Sequence, residues 1–172
     1  GRLAPEKGIT TLLDAWSHMG ESAPPLLIAG DGPLVTKAQS AAARLPRVKL
    51  LGRRSQQEVH TLMREAAALV IPSLGYEGFP VTLVEGFATG TPVIASDNGS
   101  LASVIDEGRN GLLFKTGNSK ELADRVRWLT ANKTKAVEIG RNARRDFERA
   151  YSAEAGLRQI LAVYKQTLEG QS

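Results

Sequence analysis

The sequence predicts an α/β fold: a doubly wound parallel sheet closed by a C-terminal helical tail. Three observations carry that prediction. Short apolar runs alternate with amphipathic helical patterns up to about residue 114. The runs Leu26-Leu27-Ile28-Ala29, Ala68-Leu69-Val70-Ile71 and Val93-Ile94-Ala95 lack polar alternation, as strands covered on both faces do. From about residue 118 the pattern is helical throughout.

Strands are expected at 26–29, 48–51, 68–72, 92–96 and 111–114, with helices between them near 8–19, 33–44, 55–66 and 81–90. Right-handed crossovers would join the strands into one open sheet. Ser55 and Glu58 form a capping box ahead of Val59, Leu62 and Met63. Asp97-Asn98-Gly99 and Asn110-Gly111 read as turns. In the tail, Ser119 is expected to cap a helix carrying Leu122, Val126 and Leu129, and a second helix covers 133–149. The last begins after Ser152 and carries Leu157, Ile160, Leu161, Tyr164 and Leu168 on one side. Gly1-Arg2-Leu3 reads as the exit of a strand whose body would precede residue 1. The expected organisation is a core over 1–117 with a truncated first strand, and helices over 118–172 packed on the same domain.

A chain of 172 residues can bury roughly 70% of its unfolded surface without staples. It has no cysteine, which excludes disulfides, thiol nucleophiles and thiolate metal sites and suits a reducing compartment. No apolar run approaches the roughly 20 residues of a membrane span, and the N-terminus has no signal-peptide pattern. The net charge of +4 fits a polyanion, an anionic lipid or an anionic small ligand. Arg141, Arg144, Arg145 and Arg149 share one helix face, diluted by Glu138 and Glu148. A solvated face is the simpler reading, ahead of a membrane or partner contact. Without interleaved aromatics a nucleic-acid platform is weaker still.

The chemistry concentrates in Gly75-Tyr76-Glu77-Gly78-Phe79-Pro80-Val81-Thr82-Leu83-Val84-Glu85. A strand–loop–helix passage aims backbone N–H groups at an anion. Gly78 allows close backbone approach, and Pro80 suits a first helical turn. The amides of Val81, Thr82 and Leu83 are expected to face a phosphate, aided by the helix dipole. Glu77 in the loop and Glu85 on the helix would accept hydroxyl hydrogen bonds on either side of it. A glycosidase pair would need a carboxyl separation of about 5–9.5 Å across one bond, which suits this layout less well.

Arg2 and Lys7 place a planar fork and a point charge at a helix entrance, a division of labour suited to a diphosphate. Gly30-Asp31-Gly32-Pro33 opens like a dinucleotide fingerprint, but Val35 stands at the third glycine position and no acidic residue ends the next strand. A tight turn beside the ligand cleft is the better reading. His18 and His60 lack partners at metal-ligand spacing and read as surface residues. Asp97 is expected near the cleft or capping the following turn.

These segments, with Val48-Lys49-Leu50-Leu51-Gly52, Gly90-Thr91-Pro92-Val93-Ile94-Ala95-Ser96 and Gly108 to Leu113, occur in an order that resembles the C-terminal domain of retaining family 4 glycosyltransferases, which have the two-domain GT-B fold. The resemblance runs from residue 1 to about 114 and implies a Rossmann-like, nucleotide-sugar-binding core. By position, Arg2 and Lys7 would hold the diphosphate, and Glu77 with the backbone of Gly78 and Phe79 would meet the donor sugar. Val81 to Leu83 would face phosphate, Glu85 would accept from ribose, and the base would lie near Gly52 and Arg53, with the Gly30 turn beside it. The sequence departs from the family pattern at Ser103, usually glutamate, and at Gly86, usually alanine.

The resemblance implies metal-independent transfer of a hexose-type sugar from a UDP-, GDP- or ADP-linked donor to a glycan or glycolipid, with no cofactor. It also implies a missing N-terminal acceptor domain, without which the chain would be inactive, and a cytoplasmic place at the inner face of a membrane. Peripheral membrane contact is a further expectation; nucleic acid is not. The competing readings are a non-catalytic nucleotide-binding module, half of a nucleotide-sugar epimerase, and a nucleic-acid binder recognisable by steep salt dependence.

Overall fold

The computed structural model describes residues 1–75 and 78–169. Five parallel strands alternate with helices: β1 (Leu26–Ala29), β2 (Val48–Gly52), β3 (Leu69–Ile71), β4 (Val93–Asp97) and β5 (Leu112–Lys115). Between them lie α1 (Ile9–Met19, before β1), α2 (Val35–Ala42), α3 (Gln56–Glu65), α4 (Val81–Thr89) and α5 (Gly99–Val104). The tail is α6 (Ser119–Ala131), α7 (Lys133–Asp146), a π turn (Phe147–Tyr151) and α8 (Ala153–Glu169).

The strands form two ladders, β1-β2 and β3-β4-β5, where the sequence suggested one continuous sheet. Gly1–Leu3 runs alongside the exit of β1, but only Arg2 and Asp31 complete a bridge there. β4 meets the expectation of burial on both faces: Val93, Ile94, Ala95 and Ser96 are all buried. Ile94 joins one core with Leu12, Trp16 and Leu122, while Val93 and Ala95 join a second with Leu83, Phe87 and Leu101. β1 does not meet it. Leu26 and Ile28 enter the first core, but Leu27 is 52% exposed, so that face is uncovered.

α1 and α6 close the first core, each burying one face at three- and four-residue spacing: Ile9, Leu12, Leu13 and Trp16 on one, Leu122, Val126 and Leu129 on the other. The capping box at Ser55 forms on both sides, Glu58 N–H donating to Ser55 Oγ (3.3 Å) and Ser55 N–H to Glu58 Oε2 (2.8 Å). Ser119 is not the cap of α6. Asn118 is, its Oδ1 accepting from Glu121 N–H at 3.2 Å. The turn expected at Asn98-Gly99 begins α5. Gly86 is packed tightly, since a Cβ there would lie 2.8 Å from Leu69 Cδ2 and 3.0 Å from Val93 Cγ2. Ser103 is exposed and donates locally to Ser100 O. On α8, Leu157, Ile160, Leu161 and Tyr164 are all exposed; the side chain of Leu168 is outside the described residues.

Candidate functional site

The carboxyl ends of the strands carry the sequence-predicted residues. Beside β1, Leu3 N–H donates to Asp31 O (2.8 Å) and Leu34 N–H donates to Leu3 O (2.9 Å), which places the exposed Arg2 at that end. Gly30 is glycine for want of space: its φ is 146°, and a Cβ would lie 1.7 Å from Gly1 O. Its N–H donates to Gly52 O at 2.8 Å, joining the β1 and β2 exits. The Asp31 carboxylate accepts from Gly32 N–H (2.8 Å) and Arg53 Nε (3.2 Å). Arg53 is 86% exposed, so that pair orients more than it stabilises.

Lys7 ends a short 3-10 turn, Pro5–Lys7, stapled to the loop after β3. Glu6 O accepts from Leu74 N–H (2.8 Å) and Gly75 N–H (3.2 Å). Gly8 follows with φ 67°, and a Cβ on it would sit 1.8 Å from Pro72 O. On the far side, Asn98 Nδ2 donates to Ser73 O (2.7 Å) and Gly75 O (3.4 Å). The loop is therefore clamped from two directions, once by backbone and once by an amide side chain.

That loop leads into α4. Tyr76 and Glu77 lie outside the described residues, so the expectation for Glu77 has no geometry. Gly78 and Phe79 are exposed, and a Cβ on Gly78 would meet nothing within 4 Å. The helix-start amides differ from expectation. Val81 N–H donates to Phe79 O at 2.9 Å, because Pro80, with ψ 69°, turns the chain back on itself. Leu83 is fully buried, so its amide does not meet solvent. Thr82 is exposed and its N–H has no acceptor among the described residues; the same holds for Gly78 and Phe79. An anion would meet those three at the positive end of the helix.

Glu85 lies one turn further into α4, its side chain 26% exposed. His60 Nε2, on α3, stands 3.5 Å from Glu85 Oε1, an ion pair when the imidazole is protonated. The Gly1 end of the chain feels both Lys7 and Glu85, so the three positions share one electrostatic neighbourhood. The structure thus brings together Arg2, Lys7, Gly30, Gly52, Arg53, Glu85 and the amides around Pro80.

Two residues escaped the sequence reading. His60 was assigned to a surface and faces Glu85 instead; its place at the α3–α4 contact is tertiary. Asn98 looked like a turn residue, and its signal, an Asn after a strand, does not say what its amide holds. Asp97 is exposed, and its carbonyl accepts from Thr116 Oγ1 at 3.0 Å. Among the described residues no cluster of three or more metal-ligating groups occurs. No described helix is long and apolar enough to cross a membrane.

The family model of the glycosyl transferases group 1 matches residues 1–146. The chain belongs to that family. This group 1 glycosyltransferase chain is 33% identical over 168 residues to an uncharacterized glycosyltransferase of Methanocaldococcus jannaschii, covering 96% of this chain and 46% of the relative. It is 32% identical over 166 residues to the phosphatidyl-myo-inositol mannosyltransferase of Mycobacterium leprae, covering 94% and 43%. Its fold is that of GT-B glycosyltransferases. HepE of Anabaena in complex with UDP superposes with a TM-score of 0.88 at 26% identity over 96% of this chain and 47% of HepE. The HepE complex with UDP-glucose gives 0.86 at 27%, with the same coverage. The group 1 chain spans slightly under half the length of each of these relatives.

Proposed function

We propose that the chain is the nucleotide-sugar donor half of a retaining, metal-independent family 4 glycosyltransferase that passes a hexose-type sugar to a glycan or glycolipid. The observation that carries the reading is the clamped assembly of the Arg2–Lys7 segment against the loop that opens α4. Arg2, Lys7 and the exposed amides of Gly78, Phe79 and Thr82 are assigned to the diphosphate. Glu85 stands beside them as a ribose acceptor. The UDP and UDP-glucose complexes of HepE support this class of donor.

In the proposed reaction the bond between the anomeric carbon and the diphosphate oxygen breaks as the acceptor oxygen bonds to the same face of that carbon. The acceptor's proton passes to the departing phosphate oxygen. No enzymic nucleophile is required. Arg2, Lys7 and the loop amides stabilise the charge that develops on the diphosphate, a preorganised role worth roughly 2.7–4 kcal/mol per donor removed. Glu77 is assigned to the donor sugar by the family resemblance alone.

Calorimetric titration of the chain with UDP, GDP and ADP tests the reading. Binding of one of them, UDP first, is expected, with the affinity reduced in Arg2→Ala. A folded chain that binds none of the three at about millimolar concentration, the weak end of specific binding, would sink it.

A further inference from the structure

A groove of about 730 Å³ opens at the opposite pole of the molecule, between α6 and α7. Ala66 and Ala67, which precede β3, and Gly90 and Pro92, which precede β4, place it at the amino ends of those strands. The described donor residues lie at the carboxyl ends. The volume is that of a small-molecule or lipid-segment site. Its floor is apolar, built from Pro92, Leu129, Ala136 and the bare backbone of Gly140. The floor is also tight, because a Cβ on Gly140 would lie 2.3 Å from Gly90 O.

The rim is cationic: Lys133, Arg141, Arg144 and Arg145 border the groove, and among the described residues no acidic side chain does. Arg144 is committed to structure. Its guanidinium donates to Ala88 O and to Glu148 Oε1 and stacks 5.4 Å from the Phe147 ring. Lys133, Arg141 and Arg145 are exposed and have no hydrogen-bond or ion-pair partner among the described residues. Glu138 feels the charge of Arg145 but is bonded to Lys135 at 2.7 Å. Val137 lines the groove at 53% exposure, and Trp128, next to Leu129 on α6, is 42% exposed.

An apolar floor edged by the cations of α7 complements a ligand with an anionic head and an apolar body. A free anion would leave the floor unused, and among the described residues no aromatic side chain lines the groove to stack a base. We propose that this groove docks an anionic phospholipid of a membrane surface, with Arg141 and Arg145, one helical turn apart, on the phosphate, Lys133 at the other end of α7 facing the same anionic surface, and the apolar floor beneath the glycerol and first acyl carbons. Docking there leaves the donor face at the other pole open. The inference does not rest on the donor reading.

Sedimentation with vesicles of phosphatidylcholine alone, and with one quarter phosphatidylglycerol, at about 0.1 M salt tests it. The protein is expected to sediment with the anionic vesicles only. Arg141→Glu combined with Arg145→Glu should cut the partition coefficient at least about tenfold. Val137→Glu should weaken it with every cation in place. Both variants are expected to keep the parent's melting temperature and UDP titration, which separates this test from the donor reading. Failure of the parent to sediment, or parent-like sedimentation of the double variant, overturns the proposal. So does unchanged binding by Val137→Glu with release by inorganic phosphate, which marks a plain anion patch. Tighter retention by a single-stranded oligonucleotide overturns it as well.

Discussion

His60 and Glu85 face each other across α3 and α4, with Nε2 3.5 Å from Oε1. The pair sets a partly exposed carboxylate one turn into α4, held from one side by an imidazole. If Glu85 accepts from ribose hydroxyls, Glu85→Gln removes a charge-assisted bond worth about 1.5–3 kcal/mol. Nucleotide affinity should fall roughly 10- to 100-fold by calorimetry, with the fold intact by circular dichroism. His60→Ala should cost less, because it loosens the carboxylate without removing it. A larger loss for His60→Ala than for Glu85→Gln would reverse these roles.

Lys7 is stapled to the donor loop through the Glu6 carbonyl. In the intact enzyme, Lys7→Ala is expected to lower turnover about 10²–10³-fold with a smaller change in donor KM, as loss of transition-state stabilisation requires. A loss under about tenfold in steady-state assays counts against its role at the diphosphate.

Asn98 holds the same loop by two donor contacts, to Ser73 O and Gly75 O. Asn98→Ala should cost about 0.5–1.5 kcal/mol per lost bond. Amide exchange should accelerate at Leu74 and Gly75 while β4 stays protected. Unchanged exchange in the loop would show that the Glu6 carbonyl holds it alone.

Gly8 combines φ 67° with a backbone carbonyl where a side chain would go. Gly8→Ala should destabilise by about 3 kcal/mol or more, since both the αL strain and the collision with Pro72 must be relieved by moving the 3-10 turn away from the loop. Gly78→Ala, where nothing lies within 4 Å, should leave the melting temperature within the range of surface substitutions. Urea denaturation of the two variants side by side makes the comparison.

Asp146 ties α7 to the β4–β5 connection. Its Oδ2 accepts from Arg109 Nη2 (2.6 Å) and from the buried Asn110 Nδ2 (2.8 Å). Burial pushes this carboxyl up, but the bonds from Arg109 and Asn110 outweigh it, and the net shift is downward. A carboxylate with a lowered folded pKa contributes stability above its unfolded value, near 3.9, and loses it as pH falls through the folded value. Thermal stability should therefore drop as pH falls below about 4. Asp146→Asn should lower stability at pH 7 and flatten that acid limb. An acid limb as steep as the parent's would assign it to other carboxylates.

The strand–helix alternation, the capping box at Ser55 and the cluster of glycines at strand exits were legible because each is local. Apolar period, cap spacing and turn chemistry all act within a few residues. The same locality explains the errors. Val81 was expected to offer its amide, but the turn at Pro80 gave it an internal acceptor. Ser119 and Asn118 both had the right chemistry for a cap, and the path of the chain from β5 chose Asn118.

By itself the sequence determined the α/β class, the order of its elements, the motifs of the glycosyl transferases group 1 and the residue types proposed for a diphosphate. Those follow from side-chain period and from which groups bind phosphate. Only the tertiary structure decided that His60 meets Glu85, that Asn98 and Glu6 clamp one loop, and that Leu83 withdraws its amide into the core. It also decided that three cations of α7, without a partner among the described residues, edge an apolar groove at the far pole. Each joins residues far apart in the chain, and packing of helices on a sheet sets such distances where sequence spacing cannot.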